Sequence, residues 1–306
     1  MARYATARYA VKEAREATWA RRVALFFVQL MILTVLLHRF ASLTTPAALN
    51  LIGVSIAGLL IAIAIAVGAI VRIWFGGQTG AAQAFAAILI ACLGLAVPGF
   101  YLSKVVLLPP LTEVETTQEE PLDFRALAAQ RPADANPIKE PDEAQVEAQV
   151  EAYPDIGPMV IERSAPEVFS IVDEAVQRLG WTIALNEAPG ETGIGRIEAT
   201  DRTLIMGFTD DVVIQVKGDD AHATVDVRSV SRYGMHDLGA NAKRIHKLFD
   251  EVNTALEKGE KTVLEQAAPK EETTAPKDPT NKRVKKRGGK KRSTNRPAAQ
   301  PLLSPD

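Results

Sequence analysis

Three long apolar runs occupy the first third of the chain, and they limit its fold more than any other feature. They are Val23–Leu43, Ala47–Phe75 and Ala81–Ser103. Each reaches the roughly 20 helical residues needed to cross about 30 Å of hydrocarbon. From Val23 to Ser103 there is no Asp or Glu, and the only strong bases are Arg39 and Arg72. A segment in lipid must satisfy its own backbone hydrogen bonds, so the runs are predicted to be transmembrane helices. Pro46 and Gly76-Gly77 punctuate two short turns between them. Trp74, Phe75 and Tyr101 fall near span ends, where amphipathic rings favour the interface, and Arg39 and Arg72 can snorkel outward. A cleaved signal is the alternative for the first run, but His38-Arg39 interrupts the cleavage region and two more spans follow.

The polar exceptions inside the runs are Gln29, Thr34, Asn50, Ser55 and Gln83, with no deep ionisable group. A transport path would normally carry one, so the spans read as an anchor. Gly53, Ala57, Gly58, Gly68 and Gly94 are expected to let helices approach closely, and Pro98 to kink the third span.

The net charge of −2 over 306 residues is the sum of opposed blocks. Arg3, Arg8, Lys12, Arg15, Arg21 and Arg22 precede the first span, whereas only Arg39 marks the first turn. The positive-inside rule then predicts a cytoplasmic N-terminus and, after three crossings, a periplasmic C-terminal part of a multi-pass bacterial inner-membrane protein. The expected organisation is a basic N-terminus (1–22), three transmembrane helices (23–104), an acidic Pro/Ala-rich linker (105–157), an α+β domain (158–258) and a disordered basic tail (259–306). Within the linker, Asp142–Tyr153 can form a short charged helix. The tail bases from Lys282 to Arg292 suit a solvated tail or an anionic surface such as lipid headgroups. No aromatic residues interleave with them, so nucleic acid is not an expected partner; the bilayer is, with an envelope protein or anionic polymer as the further candidate. The single cysteine, Cys92, lies in a span and permits no intrachain disulfide.

In the domain, Met159–Glu162 is predicted as a strand, and Ser164-Ala165-Pro166-Glu167 as a capping box opening a helix. That helix carries Phe169, Val172, Val176 and Leu179 at helical spacing and closes at Gly180. Further strands are predicted at Trp181–Leu185, Arg196–Thr200, Leu204–Phe208, Val212–Lys217 and Ala223–Ser231. A last helix starts near Leu238 with Asp237 as N-cap, its apolar stripe running Leu238, Ala242, Ile245, Phe249, Val252, Leu256. This order implies an antiparallel sheet with two packed helices.

Chemistry-bearing residues concentrate late in the domain. If Asp226–Arg232 is a strand, Arg228 and Arg232 share a face with Asp226, while Ser229 and Ser231 share the other. The arginines can grip an anion or partner together with Ser229, Ser231, Asp237, Asn241 and Arg244. Equally, they can pair internally with Asp210, Asp211 and Asp226 across the sheet, while Asp237 merely caps its helix. Asp210-Asp211 themselves are expected in a loop. Ser229 or Ser231 with His236 and Asp237 would supply triad residue types, but adjacent His and Asp cannot easily align and no nucleophile elbow is present. Neither a metal site nor a cofactor site is expected: the histidines lack ligand spacing, and Gly190-x-x-Gly193-x-Gly195 precedes no helix.

Gly180-Trp181, Ile197–Thr200, Gly207–Val213 and above all Asp226–Gly234 with Asp237–Asn241 and Arg244-Ile245 resemble the domain of unknown function 1499 family, over about Tyr153 to Leu256. Members resembling this segment are bacterial and plastid proteins, often preceded by membrane segments or a signal. The resemblance implies a shared domain and no particular activity. The expectation is therefore a membrane-anchored envelope protein whose domain binds a partner or small anionic ligand. The rivals are a membrane-bound hydrolase using Ser231 or Asp211 and a scaffold tying membrane to envelope through the tail.

Overall fold

The computed structural model describes residues 12–118, 120–139 and 142–267. The basic cluster expected in the tail lies outside the described residues, and all contacts below fall in the compact unit Met1–Thr262. Three helices, α1 (Arg15–Phe40), α2 (Thr45–Gly76) and α3 (Ala81–Leu107), are long and apolar enough to cross a membrane. They pack on one another through small residues: Ala17, Ala20, Ala66, Ala69, Ala84 and Ala87 are buried. Large apolar side chains such as Phe26, Leu60 and Leu93 face outward. That pattern inverts a water-soluble bundle and suits hydrocarbon surroundings, where close backbone approach rather than exclusion of apolar surface drives packing. A Cβ on Gly58 would fall 2.2 Å from the Phe27 ring, and one on Gly94 2.8 Å from Val28 Cγ2, so both glycines permit close approach. Gly53 and Gly68 instead face open space. At one end of the bundle the chain before α1 bonds to the α2–α3 turn, Ala14 N–H donating to Thr79 O at 2.9 Å, and Arg72 pairs with Glu16.

Beyond the anchor lies an antiparallel sheet. Its strands are β1 (Glu113–Glu115), β2 (Met159–Ile161), β3 (Thr182–Glu187), β4 (Ile194–Arg202), β5 (Thr209–Gly218) and β6 (Ala223–Ser231). The order is β1-β6-β5-β4-β3, with β2 also pairing along β6. Side chains alternate across the faces as the pleat requires. The row Ile197, Ile214, Val227 and its neighbours Ala199, Val212, Val216 and Val225 face two helices, α6 (Ala165–Arg178) and α7 (Ala240–Ala267). Helix α6 presents Val168, Phe169, Val172 and Val176 to that core, and α7 presents Ala242, Ile245, Leu248 and Val252.

The other sheet face is covered by the stretch expected to be an extended tether, and here the expectation is corrected. Leu122, Phe124 and Leu127 pack over Val213 and Val230. The stretch also contributes β1 and two short helices, α4 (Ala126–Gln130) and α5 (Glu143–Ala152). Helix α5 opens with a capping box made by Asp142 and Gln145. The physical reason is that β5 and β6 carry apolar side chains on both faces, so each face needs a cover. Leu204–Phe208 is likewise no strand: it is the turn of the β4–β5 hairpin, closed by Gly207 N–H to Thr203 O at 3.0 Å with Gly207 at φ +74°. The expected capping box is not formed: the Ser164 side chain makes no capping bond, and the Glu167 carboxylate pairs with Arg163 at 2.5 Å rather than reaching back to the cap. Asp210 and Asp211 lie in β5 rather than a loop, and consecutive strand positions send them to opposite faces.

Candidate functional site

Each sheet face carries a polar cluster. On the helix face, Asp210 of β5 and Ser229 and Ser231 of β6 stand beside Asn241 and Arg244 from the first turns of α7. Arg244 uses all three guanidinium nitrogens: Nη2 to Asp210 Oδ2 at 2.7 Å, Nε to Asp201 Oδ2 at 2.9 Å, and Nη1 to both Ser229 Oγ and Asn241 Oδ1 at 2.8 Å. Asn241 Nδ2 donates to Thr112 O at 3.0 Å and to Ser231 Oγ at 3.1 Å, joining α7 to both β6 and the approach to β1. Helix α7 starts at Ala240 rather than near Leu238, so Asp237 lies ahead of the N-cap position expected for it; its carboxylate accepts from Gly239 N–H and Asn241 N–H, each at 2.9 Å. Leu238 at φ +56° and Gly239 at φ +77° make the sharp entry to the helix. Burial pushes the Asp210 and Asp237 carboxyls above the ordinary range; Arg244 opposes this at Asp210, and the backbone donors oppose it at Asp237.

On the opposite face Arg228 is 2 % exposed and fastens the covering stretch to β6. It donates to Glu113 Oε2 at 2.8 Å, Leu122 O at 2.9 Å and Lys139 O at 2.6 Å. Arg232 grips Asp211 with two nitrogens, Nη2 at 2.6 Å and Nε at 2.9 Å from Oδ1. Arg131 of the covering stretch pairs with the same carboxylate and reaches Asn136 O at 2.7 Å. Glu198, fully buried, receives Arg125 N–H at 2.6 Å and Leu127 N–H at 2.9 Å, with Arg196 Nε at 3.3 Å. Glu115 takes Leu122 N–H on Oε1 at 2.5 Å, while its buried Oε2 has no hydrogen-bond partner. Desolvation raises its carboxyl to about 7.

Sequence-predicted residues therefore sort cleanly. Asp210, Ser229, Ser231, Asp237, Asn241 and Arg244 come together on the helix face; Asp211, Arg228 and Arg232 lie on the other. The two sets are separated by the sheet, and both are closed by internal bonds. Asp226 bonds Thr116 rather than either arginine, at 3.1 Å. The triad types do not assemble: His236 accepts from Leu238 N–H at 2.9 Å, leaving Nε2 to donate to Leu108 O at 3.1 Å, while both serines bond Asn241. Glu113, Glu115, Arg131 and Glu198 were missed from sequence. The available signal was the unbroken apolar run Val212-Val213-Ile214, which marks a strand needing cover on both faces.

Open space lies elsewhere. A cavity of about 160 Å³ sits where the anchor meets the domain, between His38 and Thr45 of the first hairpin and Arg202, Arg232 and Tyr233 of the domain. Around it the two parts are bonded: His38 Nδ1 to Met206 O at 2.7 Å, Arg39 Nη1 to Thr203 O at 2.9 Å, and Arg202 Nη2 to Arg39 O at 3.2 Å. A few residues away Lys104 Nζ, near the end of α3, reaches Leu238 O at 3.3 Å. A second cavity, of about 390 Å³, opens at the far end of the sheet between Arg125, Glu187, Thr192 and Arg196.

Residues 114–252 match the model of the family described as Protein of unknown function (DUF1499). The match starts inside β1, earlier than the Tyr153 expected from sequence, and so takes in the covering stretch. No curated protein and no solved structure matches the chain.

Proposed function

We propose that this is a non-enzymatic, bilayer-anchored envelope protein whose domain is held in a fixed orientation at the membrane surface to receive an anionic group or partner there. The observation that carries the reading is the bonding of the domain to the ends of the spans: His38 to Met206 O, Arg39 to Thr203 O and Lys104 to Leu238 O. A domain on a loose tether would have no use for such bonds. The polar segment Asp226–Arg244 acts in this reading as the frame of the domain, since its arginines are paired with Glu113, Asp210 and Asp211. Binding then falls to open surface beside the anchor. Three crossings and the basic N-terminus support, in this reading, a periplasmic side of a bacterial inner membrane for the domain.

Two measurements test it. A reporter fused after Lys258 should be active only outside the cytoplasm; cytoplasmic activity refutes the placement. Spin labels at Gln78 and Glu191, in a Cys92→Ala background, should give one narrow distance distribution in nanodiscs. A broad distribution would mean a tethered domain and would sink the docked orientation.

A further inference from the structure

We infer that the cavity between the first membrane hairpin and the β4–β5 turn is a binding site for the phosphate of an anionic lipid headgroup; this rests on the docked orientation proposed above. His38 is in the last turn of α1 and Thr45 is the first residue of α2, so the cavity opens at the level where two spans end, which is the headgroup layer. Arg202 lines the cavity, and Arg39 stands against its Gly207 wall. The two arginines bond backbone carbonyls (Thr203 O, Gly207 O and Arg39 O), and neither has a carboxylate partner among the described residues. Their guanidiniums converge: a Cβ on Gly207 would lie 3.1 Å from Arg202 Nη2 and 3.4 Å from Arg39 Nη1. Glycine at that position keeps the space between them clear. Arg232 also lines the cavity, where it shares the carboxylate of Asp211 with Arg131. Tyr233, whose hydroxyl bonds Asp134 at 3.1 Å, completes the rim. Guanidinium forks suit phosphate oxygens, and a volume of about 160 Å³ holds a phosphate with room for its ester carbons.

A second observation points to lipid rather than to a free anion. The β4–β5 turn that frames the cavity exposes Leu204 at 85 % and Ile205 at 41 %, and the turn after β6 exposes Met235 at 87 %. Both turns are fastened to span ends, the first through Met206 and Thr203, the second through His236 to Leu108 O at 3.1 Å. Bare apolar side chains at that level match the boundary between headgroups and acyl chains, and flanking arginines are what such a boundary selects.

The test uses the full chain in detergent micelles. Dioctanoyl phosphatidylglycerol, dioctanoyl phosphatidylcholine and inorganic phosphate are titrated separately, and bound lipid is counted by native mass spectrometry. One phosphatidylglycerol should bind with at least tenfold lower half-saturation than phosphatidylcholine. Arg39→Gln with Arg202→Gln should abolish that preference, while Lys217→Gln at the opposite end of β5 leaves it intact. Equal binding of the two lipids overturns the inference. So does displacement of the lipid by equimolar inorganic phosphate, which would mark a free-anion site. The wild-type titration needs no variant to fold. A narrow spin-label distance with no lipid preference defeats this inference alone, whereas a broad one defeats the docked orientation beneath it.

Discussion

Replacing Glu115 by Gln should remove much of the loss of domain stability that accompanies a rise in pH from about 4.5 to about 7. Glu115 is 2 % exposed, and its Oε2 has no hydrogen-bond partner. Arg228 Nε approaches that oxygen to 3.7 Å, too far to compensate for burial fully, and Glu113 and Asp226 add repulsion. The carboxyl is raised from 4.5 to about 7 in the fold. The folded state thus holds a proton that the unfolded chain releases above its ordinary value. The associated stability is fully present below the unfolded value and is lost as pH rises through the folded one. At about 1.4 kcal/mol per unit, a shift of this size amounts to roughly 3 kcal/mol between about pH 4 and pH 8. For a domain of this size that is about 6–12 °C in Tm. Gln retains the acceptor for Leu122 N–H and carries no charge at any pH. Trp181, in the domain core, can serve as the sole fluorescent reporter once Trp19 and Trp74 are changed to Phe. With the chain in detergent, the wild-type Tm should fall from pH 5 to pH 8 relative to Glu115→Gln. Parallel curves for the two proteins would refute the reasoning.

Asp211→Asn leaves Arg131 and Arg232 buried without the carboxylate they share, and should cost about 3–5 kcal/mol in chemical denaturation; a loss below about 1 kcal/mol would show that the pairs are solvated. Arg228→Met should release the covering stretch, seen as faster hydrogen exchange over residues 116–139 while α6 stays protected. Asn241→Leu removes bonds to Ser229, Ser231, Arg244 and Thr112 O, and about 2–4 kcal/mol of destabilisation is expected from leaving those groups unpaired.

How much of this could be read from sequence depends on whether the signal was local. The spans were legible because hydrocarbon length and absence of charge are properties of contiguous residues. So were α6, most of α7 and strand β6, whose periodicity lies within one element. The covering stretch was not: its Pro- and Glu-rich composition describes a solvated chain, while its order comes from remote partners such as Glu198 for Arg125 N–H and Arg228 for Leu122 O. The same blindness affected the polar segment. Sequence assigned Arg228 and Ser229 correctly to opposite faces, yet only the register shows that Arg228 meets Glu113 and Ser229 meets Asn241. Leu204–Phe208 looked like a strand because it is a short apolar run between polar residues. Leu204 and Ile205 are exposed on a turn, and a membrane surface is the setting in which that exposure has a use.

The two ends of the anchor supply an independent check on the number of crossings. The chain before α1 bonds to the α2–α3 turn through Ala14 and Thr79, so those segments share one end of the bundle. The domain bonds to the α1–α2 turn through Arg39 and to the α3 end through Lys104, so those share the other. An even number of spans would bring the N-terminal flank and the domain to the same end, where these two sets of bonds could not both form. Three helices and two bonded ends are mutually consistent, and they make the side of the domain follow from the side of the N-terminus. Moving the bases of the N-terminal flank should therefore invert the whole molecule as a unit rather than detach the domain from the spans.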